Sequence, residues 1–210
     1  MTEISPARRG RPVDPDLYAK IVSAACTLFS ELGFQATTMD KVAREAKISK
    51  LSIYKHFENK DALFSAIIAG RCQDFAPKSL FDGVEGTAED QLLAVGASLL
   101  RLLLSADVRS VEAMIMSDNA NQAQLSRLYF EAGPMRFITQ IEALLRHLHD
   151  RQALSVPDPK QSARLFAALF QGSDLLAVVN FDVEIAERED EISSYCQSAV
   201  AIFLAAHRMR

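Results

Sequence analysis

The 210-residue sequence has no tryptophan, only three cysteines, and only eight glycines and seven prolines. Cys26, Cys72 and Cys196 lie far apart, with no Cys-x-x-Cys among them. That excludes a disulfide scaffold and argues against a structural zinc site. Buried small hydrophobes are the plain reading of all three, with redox sensing at Cys72 as the competing one. No uninterrupted apolar run nears the ~20 residues of a membrane span. The richest, Leu99–Leu104, is broken by Arg101. The first ten residues, Met-Thr-Glu-Ile-Ser-Pro-Ala-Arg-Arg-Gly, hold no apolar core like that of a signal peptide. A cytoplasmic protein without membrane contact is expected. Disorder along the whole chain is also excluded, because 49% of residues are hydrophobic and 24% charged, as in ordinary globular proteins.

Acidic residues outnumber basic ones, for a net charge of −4, yet the charge is unevenly spread. Residues 1–60 carry 10 lysines and arginines against 7 acids, a net of +3, and the remainder is net −7. A basic start on an acidic body suits a protein that meets phosphate at one end only.

Apolar spacing is helical nearly throughout, with no alternating runs joined by hairpin turns. Asp14-Pro15 reads as an N-cap and first helical position. Leu17, Ile21, Ala24, Ala25, Leu28, Phe29 and Leu32 then form an amphipathic stripe. Gly33 is placed to end that helix in the left-handed conformation. Thr37-Thr38-Met39-Asp40 matches a capping box, with Thr37 as the cap and Asp40 three residues on. A short helix to about Ala46, a turn at Lys47-Ile48-Ser49 and a second short helix from Lys50 to Phe57 follow. Asn59 caps a fourth helix, with Asp61 in its first turn and an end before Pro77. The loop at 77–88, with Pro77, Gly83 and Gly86, marks a domain boundary. Further helices are expected over roughly 89–105, 107–119, 121–132, 134–151, 160–181 and 185–207.

Two short helices around a tight turn form a helix-turn-helix, whose second helix fits the DNA major groove. Ile53 and Phe57, four apart, should pack inward with Val42, Ala43 and Ile48. Lys50, Ser52, Tyr54, Lys55 and His56 then face outward, with the amines and hydroxyls that bond phosphates and bases. The structural alternative is that Tyr54 and His56 close a small core, and that Lys41, Arg44 and Lys55 are merely solvated.

These residues resemble a known family. Thr37 to Ala46, then Ile48-Ser49-Lys50, Ile53-Tyr54-Lys55-His56-Phe57 and Lys60-Asp61-Ala62-Leu63-Phe64, resemble the DNA-binding domain of the tetracycline-repressor (TetR) family over about residues 14–74. The Tyr-x-His-Phe ending followed by Lys-Asp-x-Leu is far more specific than a generic helix-turn-helix. The resemblance implies an all-α homodimer with an N-terminal three-helix DNA-binding domain and a C-terminal helical domain that binds a ligand and dimerises. It implies DNA contacts by Thr38, Ser49, Lys50, Ser52, Tyr54 and His56, extended here to Thr37, Leu51 and Lys55. Lys60 would hold a phosphate at the start of the fourth helix, a place that suits anions in any protein. Lys47 stands where the family has glycine, so either it takes an unusual backbone angle or the turn differs. Leu51 stands where small residues are common, and either touches a thymine methyl or packs within the domain.

Residues 1–13 form a basic arm. Arg8-Arg9-Gly10-Arg11-Pro12 resembles the core of an AT-hook, with Arg9 and Arg11 entering a narrow A·T minor groove. A generally basic disordered tail is the equal alternative.

Nine of the twelve phenylalanines follow residue 60, and eight of them lie in residues 75–210, the expected C-terminal domain. The stretch Gln161–Phe181 is apolar on most faces and must be enclosed. By resemblance it pairs with the last helix across a two-fold dimer, through Leu165, Leu169, Leu176, Tyr195, Ala199 and Phe203. The walls of a ligand pocket are expected from Met114, Met116, Phe130, Phe137, Phe166 and Phe170, with Gln171 or Asn119 as polar handles. Core packing is the competing role for each. His147-x-His149 is no metal site, because residues two apart on a helix face differently. No nucleophile elbow, phosphate-binding glycine loop or His-Glu-x-x-His is present, so no enzyme, metal or cofactor is expected. The reading is a transcriptional regulator that binds pseudo-palindromic double-stranded DNA as a homodimer. A small hydrophobic or amphipathic effector releases it, or, alternatively, no effector exists. An anionic effector is one meaning of Arg101, Arg109, Arg127 and Arg136, and solvent exposure is the other.

Overall fold

The computed structural model describes residues 15–75, 80–81 and 86–209. Asp14, Pro77, Gly83 and the arm with Arg9 and Arg11 lie outside the described residues. Every regular element among those described is helical. The chain divides into two units, Met1–Phe64 and Ser65–Arg210. This division falls within a continuous helix, whereas the sequence places the boundary in the loop at 77–88.

The first unit contains α1 (Pro15–Ala36), α2 (Met39–Glu45), α3 (Lys50–His56) and the start of α4 (Lys60–Phe75). Ile21, Ala24, Ala25 and Phe29 of α1 bury the expected stripe with Val42, Ala43, Ile53 and Phe57. Phe29, Phe34 and Phe64 close the core as a ring cluster, with centroids 5.5 to 5.9 Å apart. Two local expectations are corrected. Gly33 interrupts α1 with φ 76° and ψ 172°, an extended glycine conformation rather than the left-handed helical one. The α2 cap is Thr38, whose hydroxyl accepts from Lys41 N, because Thr37 is wholly buried and its hydroxyl is engaged elsewhere.

The second unit holds α5 (Ala88–Leu104), α6 (Ala106–Ser117), α7 (Gln122–Ala132), α8 (Pro134–Asp150), α9 (Pro159–Gln171), α10 (Leu175–Val178) and α11 (Glu189–Ala206), with a 3₁₀ turn at Val183–Glu187. A reciprocal capping box starts α5: Thr87 N donates to Asp90 Oδ2 at 2.9 Å, and Asp90 N to Thr87 Oγ1 at 3.1 Å. α5 is central, packing on α6, α9 and α11, while α8 packs on α7 and α9. Phe166 meets Phe170 and Phe203 at 5.1 and 5.0 Å. Phe170 lies so close over Gly96 that a Cβ there would overlap its ring.

The expected helices at 160–181 and 185–207 are each divided. Gly172 caps α9, and Ser173 starts a new turn by accepting Leu175 N on its hydroxyl. α9 is therefore amphipathic rather than apolar all round. Phe166 and Phe170 are buried while Leu165 is exposed.

Candidate functional site

The helix-turn-helix is built by three local devices. Ala46 N bonds Val42 O at 2.9 Å, ending α2. Ile48 N returns to Ala43 O at 2.9 Å across a turn in which Lys47 takes φ 56°. That is the unusual angle anticipated where the family has glycine. Ser49 then caps α3, accepting Ser52 N at 3.1 Å.

Ile53 and Phe57 face inward, as their spacing requires. Ser49, Lys50 and Lys55 are exposed, Tyr54 is 45% exposed, and Ser52 and His56 are half-buried. Leu51 is 68% exposed, so it is not part of the core of its own unit. One expected contact is corrected. Thr37 donates its hydroxyl to Gly33 O at 2.8 Å or Leu28 O at 3.0 Å and cannot meet a phosphate. Lys60 donates to Phe34 O at 2.6 Å and Thr37 O at 3.0 Å, with its ammonium 4.1 Å from the Phe34 ring centre. It ties α4 to the end of α1. A further pair escaped the sequence reading. Lys50 Nζ contacts Asp40 Oδ1 at 2.9 Å, and the carboxylate holds this ammonium above its usual pKa. Ten residues separate the two, so no helical spacing signals it.

The second unit contains a narrow cavity of about 50 Å³. Its lining runs from α4 (Ile68, Arg71, Cys72) through α5 (Leu99, Leu102, Leu103) and α6 (Asp107, Val108, Val111) to Tyr129, Gly133, Pro134, Phe137, Ile138, Ala167 and Gln171. Of the expected walls, Phe137 and Gln171 are there. Met116 and Phe130 face solvent, at 67% and 45% exposure. Phe166 and Phe170 are buried in the core. Neither Met114, which is half-buried, nor the exposed Asn119 reaches the cavity. The α4 wall was missed, although Ile68 and Cys72 are four apart on one face.

None of the four suspected arginines lines the cavity. Arg101 makes two bonds to Glu189, at 3.1 and 2.5 Å. Arg109 donates to Val179 O at 3.2 Å. Arg127 and Arg136 are exposed. The arginine that does line it, Arg71, is paired with Asp107 at 3.1 Å. Burial pushes the Cys72 thiol up, with Arg136 pulling it partly back. Thiolate is therefore scarce, which works against redox sensing. Tyr129 donates to Glu112 Oε1 at 2.9 Å, and its phenol is also pushed up by burial and by that carboxylate. Among the described residues no cluster of His, Cys, Asp and Glu could hold a metal ion.

Of the expected dimer contacts, Leu165 is 53% exposed, while Leu169, Leu176 and Tyr195 are half-buried. Tyr195 spends its hydroxyl on Leu169 O at 2.5 Å. Ala199 and Phe203 are corrected: at 6% and 3% exposure they belong to their own core. On α11 the large hydrophobic residue that is exposed is Ile202, at 63%.

Comparison with known families gives two matches. Residues 90–209 match the AefR-like transcriptional repressor C-terminal domain, and residues 21–67 match the tetR family of bacterial regulatory proteins. The chain belongs to the TetR family of transcriptional regulators. This TetR-family regulator is 33% identical over 109 residues to the HTH-type regulator YdeS of Bacillus subtilis strain 168, covering 52% of this chain and 53% of YdeS. Over a stretch of the same length it is 27% identical to IcaR, a negative regulator of a biofilm operon in Staphylococcus epidermidis, covering 52% of this chain and 57% of IcaR. The chain thus spans about half the length of these curated relatives. Among solved structures, the flavonoid-responsive regulator FrrA superposes with a TM-score of 0.72 at 25% identity, over 94% of this chain and 100% of FrrA. The all-α fold and the DNA-binding helix-turn-helix are those of the family.

Proposed function

We propose that this TetR-family regulator is a cytoplasmic repressor that holds a pseudo-palindromic operator as a homodimer. In this reading it lets go when an uncharged amphipathic molecule enters the cavity of the second unit. The observation that carries the reading is α4. Its Ile68, Arg71 and Cys72 are cavity walls, and its Lys60 is fastened to the carbonyls that precede α2. The cavity is narrow, so a ligand must part its walls, and α4 is one of them. Couplings of ~1–3 kcal/mol are typical of such linkage.

The polar lining supports an uncharged ligand. Asp107 neutralises Arg71 at the lining, and an anion would have to break that pair. Gln171 is exposed and offers an amide donor and acceptor to a hydroxyl or carbonyl. A flavonoid, to which FrrA responds, is one molecule of this kind. The exposed Leu165 and Ile202, with the half-buried Leu169 and Leu176, supply the apolar surface on which two copies pair. On DNA, Ser49, Lys50, Ser52, Tyr54, Lys55 and His56 take phosphates and base edges, Thr38 takes a phosphate, and Leu51 takes a thymine methyl. Two such helices read half-sites ~34–36 Å apart.

Fluorescence anisotropy with labelled duplex tests this, using DNA upstream of the protein's own gene beside a scrambled duplex. Binding at least ~10³-fold tighter to the upstream duplex supports a specific regulator. Added flavonoids and related neutral aromatics are then expected to release it. An effector that binds yet leaves operator affinity unchanged sinks the release mechanism. The narrowness of the cavity favours a second reading, a DNA-binding dimer without small-molecule control. In that case no such compound stabilises the protein against heat.

A further inference from the structure

The recognition helix opens with a cation that already has a partner. Lys50 Nζ lies 2.9 Å from Asp40 Oδ1 and 3.0 Å from Oδ2. Asp40 is free to do this because the α2 cap is Thr38. Other lysines of the unit are also engaged: Lys41 donates to Ala36 O at 2.7 Å, and Lys60 to two carbonyls. Arg44, Lys47 and Lys55 are exposed and outside every ion pair among the described residues. The Lys50–Asp40 pair differs from the carbonyl contacts in one respect. Its partner is a full negative charge on the same surface, with the two side chains 65% and 57% exposed.

We propose that Asp40 is a specificity-determining residue that masks the Lys50 charge until a correctly seated phosphate replaces its carboxylate. The inference rests on α2 and α3 being the DNA interface. An unpaired exposed lysine accepts any nearby phosphate and adds affinity without regard to sequence. A lysine held by a carboxylate must first lose that partner, and the carboxylate repels the approaching phosphate. Exposed pairs of this kind are weak enough to exchange. On random DNA the docking is loose and the exchange is not repaid. On an operator, base contacts fix the register and bring one phosphate close enough to complete it. Asp40 therefore suppresses non-specific binding more than specific binding, and that ratio decides occupancy in a genome.

The test uses the full chain and a labelled random-sequence duplex, with anisotropy followed through a salt series. Asp40→Asn is expected to bind several-fold tighter, with a salt slope steeper by about 0.9, the value for one added phosphate contact. Glu45→Gln removes an exposed negative charge from the same helix without freeing a lysine, and is expected to change affinity less than about twofold. In a Lys50→Met background, Asp40→Asn should give no gain. Equal effects of Asp40→Asn and Glu45→Gln would reduce the finding to net charge and overturn the proposal. So would a gain that survives Lys50→Met, or an unchanged salt slope. Circular dichroism confirms that each variant is folded. A wild-type chain that binds no duplex removes the DNA reading itself, whereas binding with an unaltered Asp40→Asn removes only this inference.

Discussion

The two units hold themselves together by different means. In the first, the decisive interactions are directional: Thr37 and Lys60 satisfy named carbonyls, and Thr38 and Ser49 cap successive helices. In the second, shape dominates, with Phe166, Phe170 and Phe203 interlocked beside a cavity that packing leaves unfilled. Hydrogen bonds fix geometry to tenths of an ångström, which suits a surface that must match a rigid partner. Dispersion tolerates rearrangement, which suits a cavity that must accept a flexible range of shapes.

The sharpest way to break the contrast is in the second core. Phe170→Ala should cost ~3–5 kcal/mol, measured by urea unfolding, because the ring and its seat on Gly96 are both vacated. A loss under about 1 kcal/mol would mean that the core collapses freely and shape is not decisive. The counterpart in the first unit is Thr37→Val, which removes the buried hydroxyl's hydrogen bond to Gly33 O or Leu28 O with nearly unchanged volume. It should cost ~1–3 kcal/mol and weaken DNA binding, while Thr37→Ser recovers most of both. If Thr37→Val is neutral, directionality is not what holds this unit.

A cavity substitution sharpens the comparison from the other side. Val111→Phe fills space from α6 and should leave stability unchanged or raise it by up to ~2 kcal/mol. Heat stabilisation by a cavity ligand should disappear, with operator affinity kept. Lys47→Gly relieves the left-handed turn but loosens the unfolded chain, for a net gain of roughly 0–1 kcal/mol. Thermal melts measure that gain, and the salt slope of DNA binding should fall as one cation is lost. The smallest effect concerns pH. Hydrogen bonds from Thr87 hold the exposed Asp90 carboxyl below its ordinary value of 3.8. Its contribution is present above that ordinary value and fades as pH falls through the lowered one. Asp90→Ala should therefore flatten the acid limb of the stability curve slightly.

The legibility of the sequence divides along the same line. Helix positions in both halves follow from spacing and caps, because Ile53 with Phe57, or Asn59 before Ala62, are short-range patterns. Asn59 does cap α4, accepting Ala62 N at 2.8 Å. The outward face of α3 was readable for the same reason. Thr37, Lys60 and Asp40 were not, because each finds a partner 4 to 26 residues away that only the fold supplies. The cavity was least legible. Phe137, Phe166 and Phe170 are the same residue type on amphipathic helices, yet only Phe137 borders the cavity, since that depends on how six helices pack. Gly172 also hid a break, because apolar residues continue on both sides of it.

The ring of Phe170 over Gly96 has a mechanical meaning as well. α9 cannot slide along α5 without lifting an aromatic ring out of a notch that has no side chain to give way. The contact works as a detent, fixing the register of two helices that both border the cavity. Under the release mechanism proposed above, a ligand pressing on that side meets a stop. The yielding then falls to the other walls, α4 among them, so one missing methyl group on α5 decides which helices give.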